Sequence, residues 1–361
     1  FNAFYQQSLT GVAAEVAPLN IQYGDYAHWQ RSCLSAETRE GLLRYWRKRL
    51  ADIPSLHGLP LDNPRPPQQR FDSGAVRSVI QGETWTGLKA LVQRQGVTLF
   101  MVLQGALSVL LSRVSGETDI VLGVPTAGRH ESELAPLIGF FINTLVSRTQ
   151  VDVTQPFAAL LQQIKVDTLA DYQHQMLPFE MLVGELKPER SLAYNPLCQI
   201  KLVLQNHRSS QDEALKLGAA TFRPLSHAQE SIRFDLDLTC SEGEQELVCH
   251  WRYQTSLFAH TSIEAYARSF EQLLVGIVQA PERACGAYPL FDEVMQAALL
   301  AQSQGEASVE RRDRSVVAQF AAQAQQSPDR VAVVDSVQSL SYRELSLRVN
   351  QLAHYLQEQE I

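Results

Sequence analysis

Ile138-Gly139-Phe140-Phe141-Ile142-Asn143-Thr144-Leu145-Val146-Ser147-Arg148 is the stretch on which the reading of this 361-residue chain turns. It is apolar on both sides of one Asn-Thr pair, so its composition predicts burial. A buried amide without partners costs about 1–3 kcal/mol. Asn143 is therefore expected either to tie down backbone or to face a cavity that holds a ligand, and the residues alone leave both open. Gly139 allows a turn or a close approach of backbone.

Outward from this stretch the pattern is that of an α/β chain. Residues 119–124 are a short apolar run ended by Pro125 and then Gly128-Arg129, which predicts a strand closed by a turn. Residues 156–175 put Phe157, Leu160, Leu161, Ile164, Thr168 and Tyr172 on one face, which predicts a long helix. The period then shortens to two. Cys198, Ile200, Leu202 and Leu204 alternate with Gln199, Lys201 and Val203. Ile232, Phe234, Leu236, Leu238 and Cys240 form a second such set, and Leu247, Cys249, Trp251 and Tyr253 a third. Three half-buried strands are expected, the last two an antiparallel hairpin turning at residues 241–245.

Toward the N-terminus, helices are expected at residues 1–7, 38–50, 83–95 and 99–111, with a strand at 74–80. The helix at 99–111 is apolar nearly all round and so belongs inside. Residues 58–74 carry Pro60, Pro64, Pro66 and Pro67, which predicts an extended, surface-running connection. Toward the C-terminus a core-facing helix covers 263–277. Residues 281–314 have no sustained period and read as a linker. A second unit follows, with a helix at 316–325, a strand at 331–335 and capping-box spacing from Ser341 to Glu344 ahead of a last helix.

The length suits about two domains, and a hydrophobic content of 45% is ample for a core. Net charge is −8 with no basic tract, which argues against nucleic acid. Five cysteines without CxxC spacing fit reduced thiols in a cytoplasmic protein. The most apolar run, residues 97–111, carries Gln104 and Ser108 and falls short of the roughly 20 residues that span a bilayer. The chain opens at Phe1 inside a helical pattern and stops at Ile361 just past another, so it is expected to be a piece of a longer protein.

Few residues advertise chemistry. Walker, zinc, GxSxG and GxGxxG patterns are absent. His174 stands six residues before Glu180, with Pro178-Phe179 between. It reads as a base oriented by a carboxylate or as a helix C-terminal His favoured by the dipole. Asp25 reads as a helix N-cap. Arg148 and Arg190 suit either a phosphate or structural ion pairs.

In combination these segments resemble the condensation domain of nonribosomal peptide synthetases, followed by the opening of an adenylation domain. Tyr23-Gly-Asp25-Tyr-Ala-His-Trp29-Gln-Arg31 is similar to the family's Tyr-x-Asp-Tyr-Ala-x-Trp-Gln segment, and Leu61-Asp-Asn-Pro-Arg-Pro66 to its proline-rich lobe connection. Gly139, Phe141, Asn143 and Thr144, with Arg148 after them, match its Gly-x-Phe-x-Asn-Thr motif, preceded by Gly123-Val-Pro-Thr-Ala-Gly-Arg129. His174 to Glu180 resembles His-Gln-Asp-x-Pro-Phe-Glu, with Met176 where the family usually has Asp. Arg190 to Leu197 resembles Arg-Asp-x-Ser-x-x-Pro-Leu, with Ser191 for the Asp and Ala193 for the Ser. Gln205-Asn206 and Phe234-Asp-Leu236 also look like family features. Ser327-Pro-Asp-Arg-Val-Ala332 and Leu340-Ser-Tyr-Arg-Glu-Leu345 resemble the adenylation N-terminus.

The resemblance implies an α/β, chloramphenicol-acetyltransferase-like two-lobe fold. Residues 1–57 would end the first lobe, 58–74 connect the lobes, 75–280 form the second, 281–314 link, and 315–361 begin adenylation. It implies donor and acceptor carrier proteins as partners, with the adenylation domain in cis. The acceptor amine would attack the donor thioester in a tunnel between the lobes. Tyr23, Asp25, Trp29, Gly139, Phe141, Asn143, Thr144, Arg148, His174, Pro178, Phe179, Glu180, Arg190, Gln205 and Asn206 would line or support that tunnel. The family's His-His-x-x-x-Asp-Gly motif is absent from this chain. General acid–base groups supply about 10²–10⁴-fold, so the chain alone is expected to be inactive. It is expected to hold no cofactor, while its parent uses 4′-phosphopantetheine on carriers and ATP with Mg²⁺ in adenylation. Rival readings are an epimerisation or heterocyclisation domain of the same fold, or a non-catalytic module that recruits partner proteins.

Overall fold

The structure, a computed structural model, describes residues 2–129, 131–189, 191–205, 215–217, 220–222, 231–303 and 315–359. The chain divides into two compact units, residues 1–293 and 294–361.

The first unit opens with helices α1 (Asn2–Thr10), α2 (Tyr23–Cys33) and α3 (Ala36–Arg49), then strand β1 (Ser73–Gln81), α4 (Gly82–Gln95), α5 (Leu99–Ser115), β2 (Asp119–Thr126) and β3 (Asn143–Gln150). Helices α6 (Phe157–Gln173) and α7 (Phe179–Leu186) precede β4 (Ile200–Gln205), a short β5 (Leu215–Leu217) and β6 (Ala220–Phe222) pair, the hairpin β7 (Leu236–Glu242) and β8 (Glu246–Gln254), and α8 (His260–Gln279). The sheet order is β1-β8-β7-β4-β2-β3, with β4 parallel to both β2 and β7 and every other pair antiparallel. This is a mixed α/β sheet flanked by helices, as the family resemblance implies, and it contains the β7–β8 hairpin that the alternating runs predict.

Alternation decides which face is dry. Leu122, Ile200, Leu202, Leu236, Leu238, Cys240, Cys249 and Trp251 point to one face and share a core with α4, α5, α6 and α8. Helix α5 is buried along nearly its whole length, and Thr98 Oγ1 starts it by accepting from Met101 N. Of the polar residues inside it, Gln104 is answered, donating to Ser147 Oγ at 2.9 Å and Thr149 Oγ1 at 3.3 Å, whereas the buried Ser108 hydroxyl has no hydrogen-bond partner among the described residues. A second apolar cluster joins Leu42, Leu43, Trp46 and Leu50, from α3 and the residue that follows it, to Leu145, Val146, Leu177 and Leu182. Packing therefore runs without a break from residues before the proline-rich connection to those after it. That connection is extended, and it is pinned. Asp62 caps α8 by accepting from Ala259 N and Ser262 Oγ, both at 2.8 Å.

Three sequence expectations are corrected. Burial of residues 138–142 fails: Ile138, Phe140 and Ile142 are 95%, 75% and 58% exposed, and only Phe141, at 5%, turns inward. The strand starts at Asn143, so the apolar residues before it lack a sheet to fix which way they face. The strand expected from Ile232 begins at Leu236, because Asp235 before it is tied down by side chains. The linker expected from residue 281 starts later, since Cys285, Tyr288 and Leu290 are in the core and Cys285 N donates to Gln155 O at 2.9 Å. An irregular segment anchored by a few side chains has no period to read.

The second unit holds α9 (Glu293–Ser303) from Val294 on, α10 (Val316–Gln326), the antiparallel pair β9 (Val331–Val334) and β10 (Ser339–Ser341), and α11 (Tyr342–Glu358). The capping box forms as its spacing predicts: Ser341 N donates to Glu344 Oε2 at 2.8 Å and Glu344 N to Ser341 Oγ at 3.3 Å. No residue of these helices is buried.

Candidate functional site

Asn143 is the first residue of β3, and its amide is used completely. Nδ2 donates to the carbonyls of Gln175 and Leu177, each at 2.9 Å. Oδ1 accepts from Thr144 N at 2.9 Å and Phe179 N at 3.0 Å. Two carbonyls on one side and two N–H groups on the other fix the orientation of the amide. Pro178 stands at the N-cap of α7, with no N–H of its own to satisfy, and Phe179 N, an orphan donor of the first turn, is capped by Asn143 from the start of β3. One side chain thus joins the start of β3 to the whole α6–α7 connection.

The exposed loop before β3 is held by aromatic contacts. Tyr23 OH donates to Phe140 O at 2.9 Å, and its ring meets Phe141 edge-on at 5.3 Å. Phe141 also packs on Tyr26 at 4.7 Å, inside a small cluster with Leu134 and Leu137. Gly139 lies against Tyr23, where a Cβ would come within 2.2 Å of the ring. Gly128 has φ +64, and a Cβ there would stand 1.8 Å from Phe141 O. The Arg129 guanidinium lies 4.1 Å over the Phe141 ring and donates to Leu134 O. Between these elements sits a cavity of about 40 Å³ lined by Tyr26, Trp29, Thr126, Phe141, Asn143 and Met176 among others. A more open pocket of about 380 Å³ adjoins it along Pro125–Arg129, Tyr172 and Gln175.

Tyr23, Trp29, Gly139, Phe141, Asn143, Thr144, Pro178 and Phe179 are thereby brought together. Asp25 is not the N-cap of α2 but sits three residues inside it, where Oδ2 accepts from Gln22 N at 2.8 Å. Arg148 lies at the far end of β3. It pairs with Asp119 through Nε at 2.9 Å and Nη2 at 2.7 Å, and Nη1 donates to the carbonyls of Arg49 and Ala51. That is the ion-pair role, and the bond to Asp119 raises its pKa. His174 caps the end of α6: Nδ1 bonds Ala170 O at 2.8 Å, and the ring stacks on Tyr45 at 3.8 Å. No hydrogen bond or ion pair joins it to the exposed Glu180 among the described residues, so the oriented-base arrangement is not formed. Gln205 ends β4 and accepts from Ser241 Oγ at 3.4 Å. Arg190 and Asn206 lie outside the described residues.

Sequence reasoning gave no role to the most buried charges. Asp235 takes Arg65 Nη2 at 2.6 Å and His57 Nε2 at 3.0 Å on one oxygen, and Gln254 Nε2 at 3.3 Å on the other. Because His57 Nδ1 accepts from Leu59 N, the ring proton on Nε2 faces Asp235. Asp237 is held between Lys201 at 2.7 Å and Arg252 at 3.0 Å. Asp171 accepts from Tyr45 OH at 2.6 Å, while burial pushes its pKa up against the pull of Tyr45 and Arg49. In the sequence each reads as the polar member of an alternating or helical pattern; nothing local marks them as buried. Among the described residues no group of three or more His, Cys, Asp or Glu side chains is arranged to hold a metal.

The condensation-domain family matches residues 1–300, and the AMP-binding enzyme family matches residues 320–361. One of the linear gramicidin synthase proteins of Brevibacillus parabrevis is 40% identical over 99% of this chain, which spans 7% of that relative's length. Among solved structures, holo-AB3403, a four-domain nonribosomal peptide synthetase bound to AMP and glycine, covers the whole chain with a TM-score of 0.79 at 24% identity, and the chain covers 28% of it. The X-domain in complex with OxyB from teicoplanin biosynthesis covers 81% of the chain, with 65% of its own length matched, a TM-score of 0.73 and 25% identity.

Proposed function

The chain belongs to the condensation-domain family, and on that footing we propose that it is the part of a nonribosomal peptide synthetase that walls the condensation site and leads into adenylation. In the parent, the amine of a carrier-bound aminoacyl group attacks the thioester carbonyl of a carrier-bound donor. The C–N bond forms, the C–S bond breaks, and the phosphopantetheine thiol leaves on the donor carrier. Residues 127–129 and 131–144 form part of the wall of that path. One observation carries the reading: Asn143 spends all four of its hydrogen-bonding groups on backbone, so it fixes the wall and moves no proton. The chain contains no His-His-x-x-x-Asp-Gly run, and by itself it makes no amide.

The test is Asn143→Ala in an intact synthetase with loaded donor and acceptor carriers, followed by product mass spectrometry. A folded variant with reduced condensation and unchanged adenylation supports the wall; a folded variant at the parental rate removes Asn143 from it. Amide formed by the 361-residue chain alone at a rate near that of the parent would overturn the division of labour.

Residues 315–361 are the start of the adenylation domain in cis. ATP, Mg²⁺ and carrier docking belong to the parent, and no adenylation step is assigned to residues 315–359. The setting is cytoplasmic, where amino acids, ATP and carriers are available. No single helix among the described residues is long and apolar enough to cross a membrane. A recruiting module is the second reading, favoured by the likeness to an X-domain solved with OxyB. Synthetase relatives matched over nearly the whole chain favour condensation.

A further inference from the structure

Cys240 on β7 and Cys249 on β8 are register partners. Their sulfurs lie 3.4 Å apart, and neither side chain reaches solvent. Both are free thiols inside the main core, packed on the face that α4 and α8 cover. Opposed residues of antiparallel strands have Cα atoms about 4.5–5.5 Å apart. A disulfide tolerates roughly 4.4–6.8 Å. The backbone therefore already has the spacing of a bridge, and the sulfurs need only rotate together. We infer that Cys240 and Cys249 form a modification site, a dithiol that closes to a cross-strand disulfide when the β7–β8 hairpin opens to a small disulfide oxidant.

The exchange with glutathione disulfide balances. One cysteine thiolate attacks a glutathione sulfur and releases one glutathione thiolate. The second cysteine attacks the mixed disulfide and releases the other, and each leaving thiolate takes up one of the two cysteine protons. The folded sheet blocks the first step twice. Glutathione has no path to either sulfur, and the hydrogen bond from its partner together with burial raises the pKa of Cys240, keeping it a thiol. The turn carries a restraint of its own, since Glu244 O accepts from Trp85 Nε1 at 3.3 Å and from Lys89 Nζ at 3.4 Å. Opening at that end exposes both cysteines together, and closing the sheet over the new bond shields it from reductant.

The experiment uses the full 361-residue chain. It is held with glutathione disulfide in native buffer and in rising urea, quenched with N-ethylmaleimide, digested without reduction and mapped by mass spectrometry. In native buffer both thiols should stay unlabelled and unbridged. At the first urea concentration where N-ethylmaleimide alone labels both, glutathione disulfide should give one linked Cys240–Cys249 peptide lacking two hydrogens. After urea is removed, that bond should resist reduced glutathione. Cys249→Ala should lose the bridge and leave Cys240 as the glutathione adduct. The inference is overturned if both thiols label but only adducts form, if either pairs with Cys33 or Cys198, or if the bridge forms as fast in native buffer as in urea.

Discussion

Replacing Asn143 with alanine and with aspartate separates a cap from a cavity wall. Alanine removes four hydrogen bonds and strands two N–H groups and two carbonyls. A net bond is worth about 0.5–1.5 kcal/mol, and an unsatisfied buried group costs about 1–3 kcal/mol. Asn143 is only half-buried, so water re-satisfies part of the set. The expected loss is about 2–4 kcal/mol. Aspartate keeps the acceptors for Thr144 N and Phe179 N but turns an anionic oxygen toward two carbonyls at 2.9 Å. It should therefore destabilise more than alanine at pH 7. Those carbonyls favour the protonated acid, so its folded pKa lies above its unfolded one. The stability tied to the protonated form is present below the unfolded value, near 3.9, and is lost as pH rises through the folded pKa. Urea unfolding of the two variants across pH 4–8, with the slope held common, reads this directly. Aspartate as stable as alanine at pH 7, or a gap that does not shrink toward pH 4, would refute the four-bond cap.

Three other perturbations follow from the same contacts. Arg65→Ala leaves Asp235 buried with a lost partner and should cost about 3 kcal/mol or more by urea unfolding; Arg47→Ala, an exposed pair with Glu40 and Glu185, should leave the midpoint unchanged. Asp171 has its pKa raised by burial, so wild type carries stability below the ordinary carboxylate value that it loses as pH rises through the raised one. Asp171→Asn lacks that slope, and melting temperatures of the two proteins should diverge with pH over that window; a constant difference would refute it. Gly128→Ala forces a left-handed residue and a clash with Phe141 O, which should cost more than about 1–2 kcal/mol. Gly24→Ala, inside α2 with nothing within 4 Å of the added methyl, should be neutral or stabilising by up to about 1 kcal/mol.

What could be read from the sequence was whatever repeats. Period-two runs gave β4, β7 and β8 their inward faces, and period 3.6 gave α4, α6 and α8 theirs, because burial on one side of a regular element imposes a rhythm. Residues 138–142 have composition without rhythm. Their apolar character says that they need cover, while the direction of each side chain depends on where β3 starts and on Tyr23, more than a hundred residues earlier in the chain. The segment at 285–290 is the converse case, a core piece with too few anchors to show a period.

Asn143 explains why the opening alternatives could not be separated from local sequence. Its partners lie 32 to 36 residues away, apart from its own neighbour Thr144; two of the four sit in the connection between α6 and α7, and a third, Phe179, opens α7. Only a short primary amide offers two donors and two acceptors at that reach. Aspartate lacks the donors, and glutamine would place the amide one carbon further out, into the carbonyls it must meet. The same residue also lines the cavity beside Met176. A satisfied amide and a cavity wall are therefore one role here: the bonds to Gln175 and Leu177 hold the α6–α7 connection against the start of β3, and Gln175 and Met176 of that connection line the same cavity as Phe141. Met176 stands between Gln175 and Leu177, so its backbone is held on both sides by the same pair of bonds. Any change that lengthens them should alter the shape of the wall before it alters the stability of the sheet behind it.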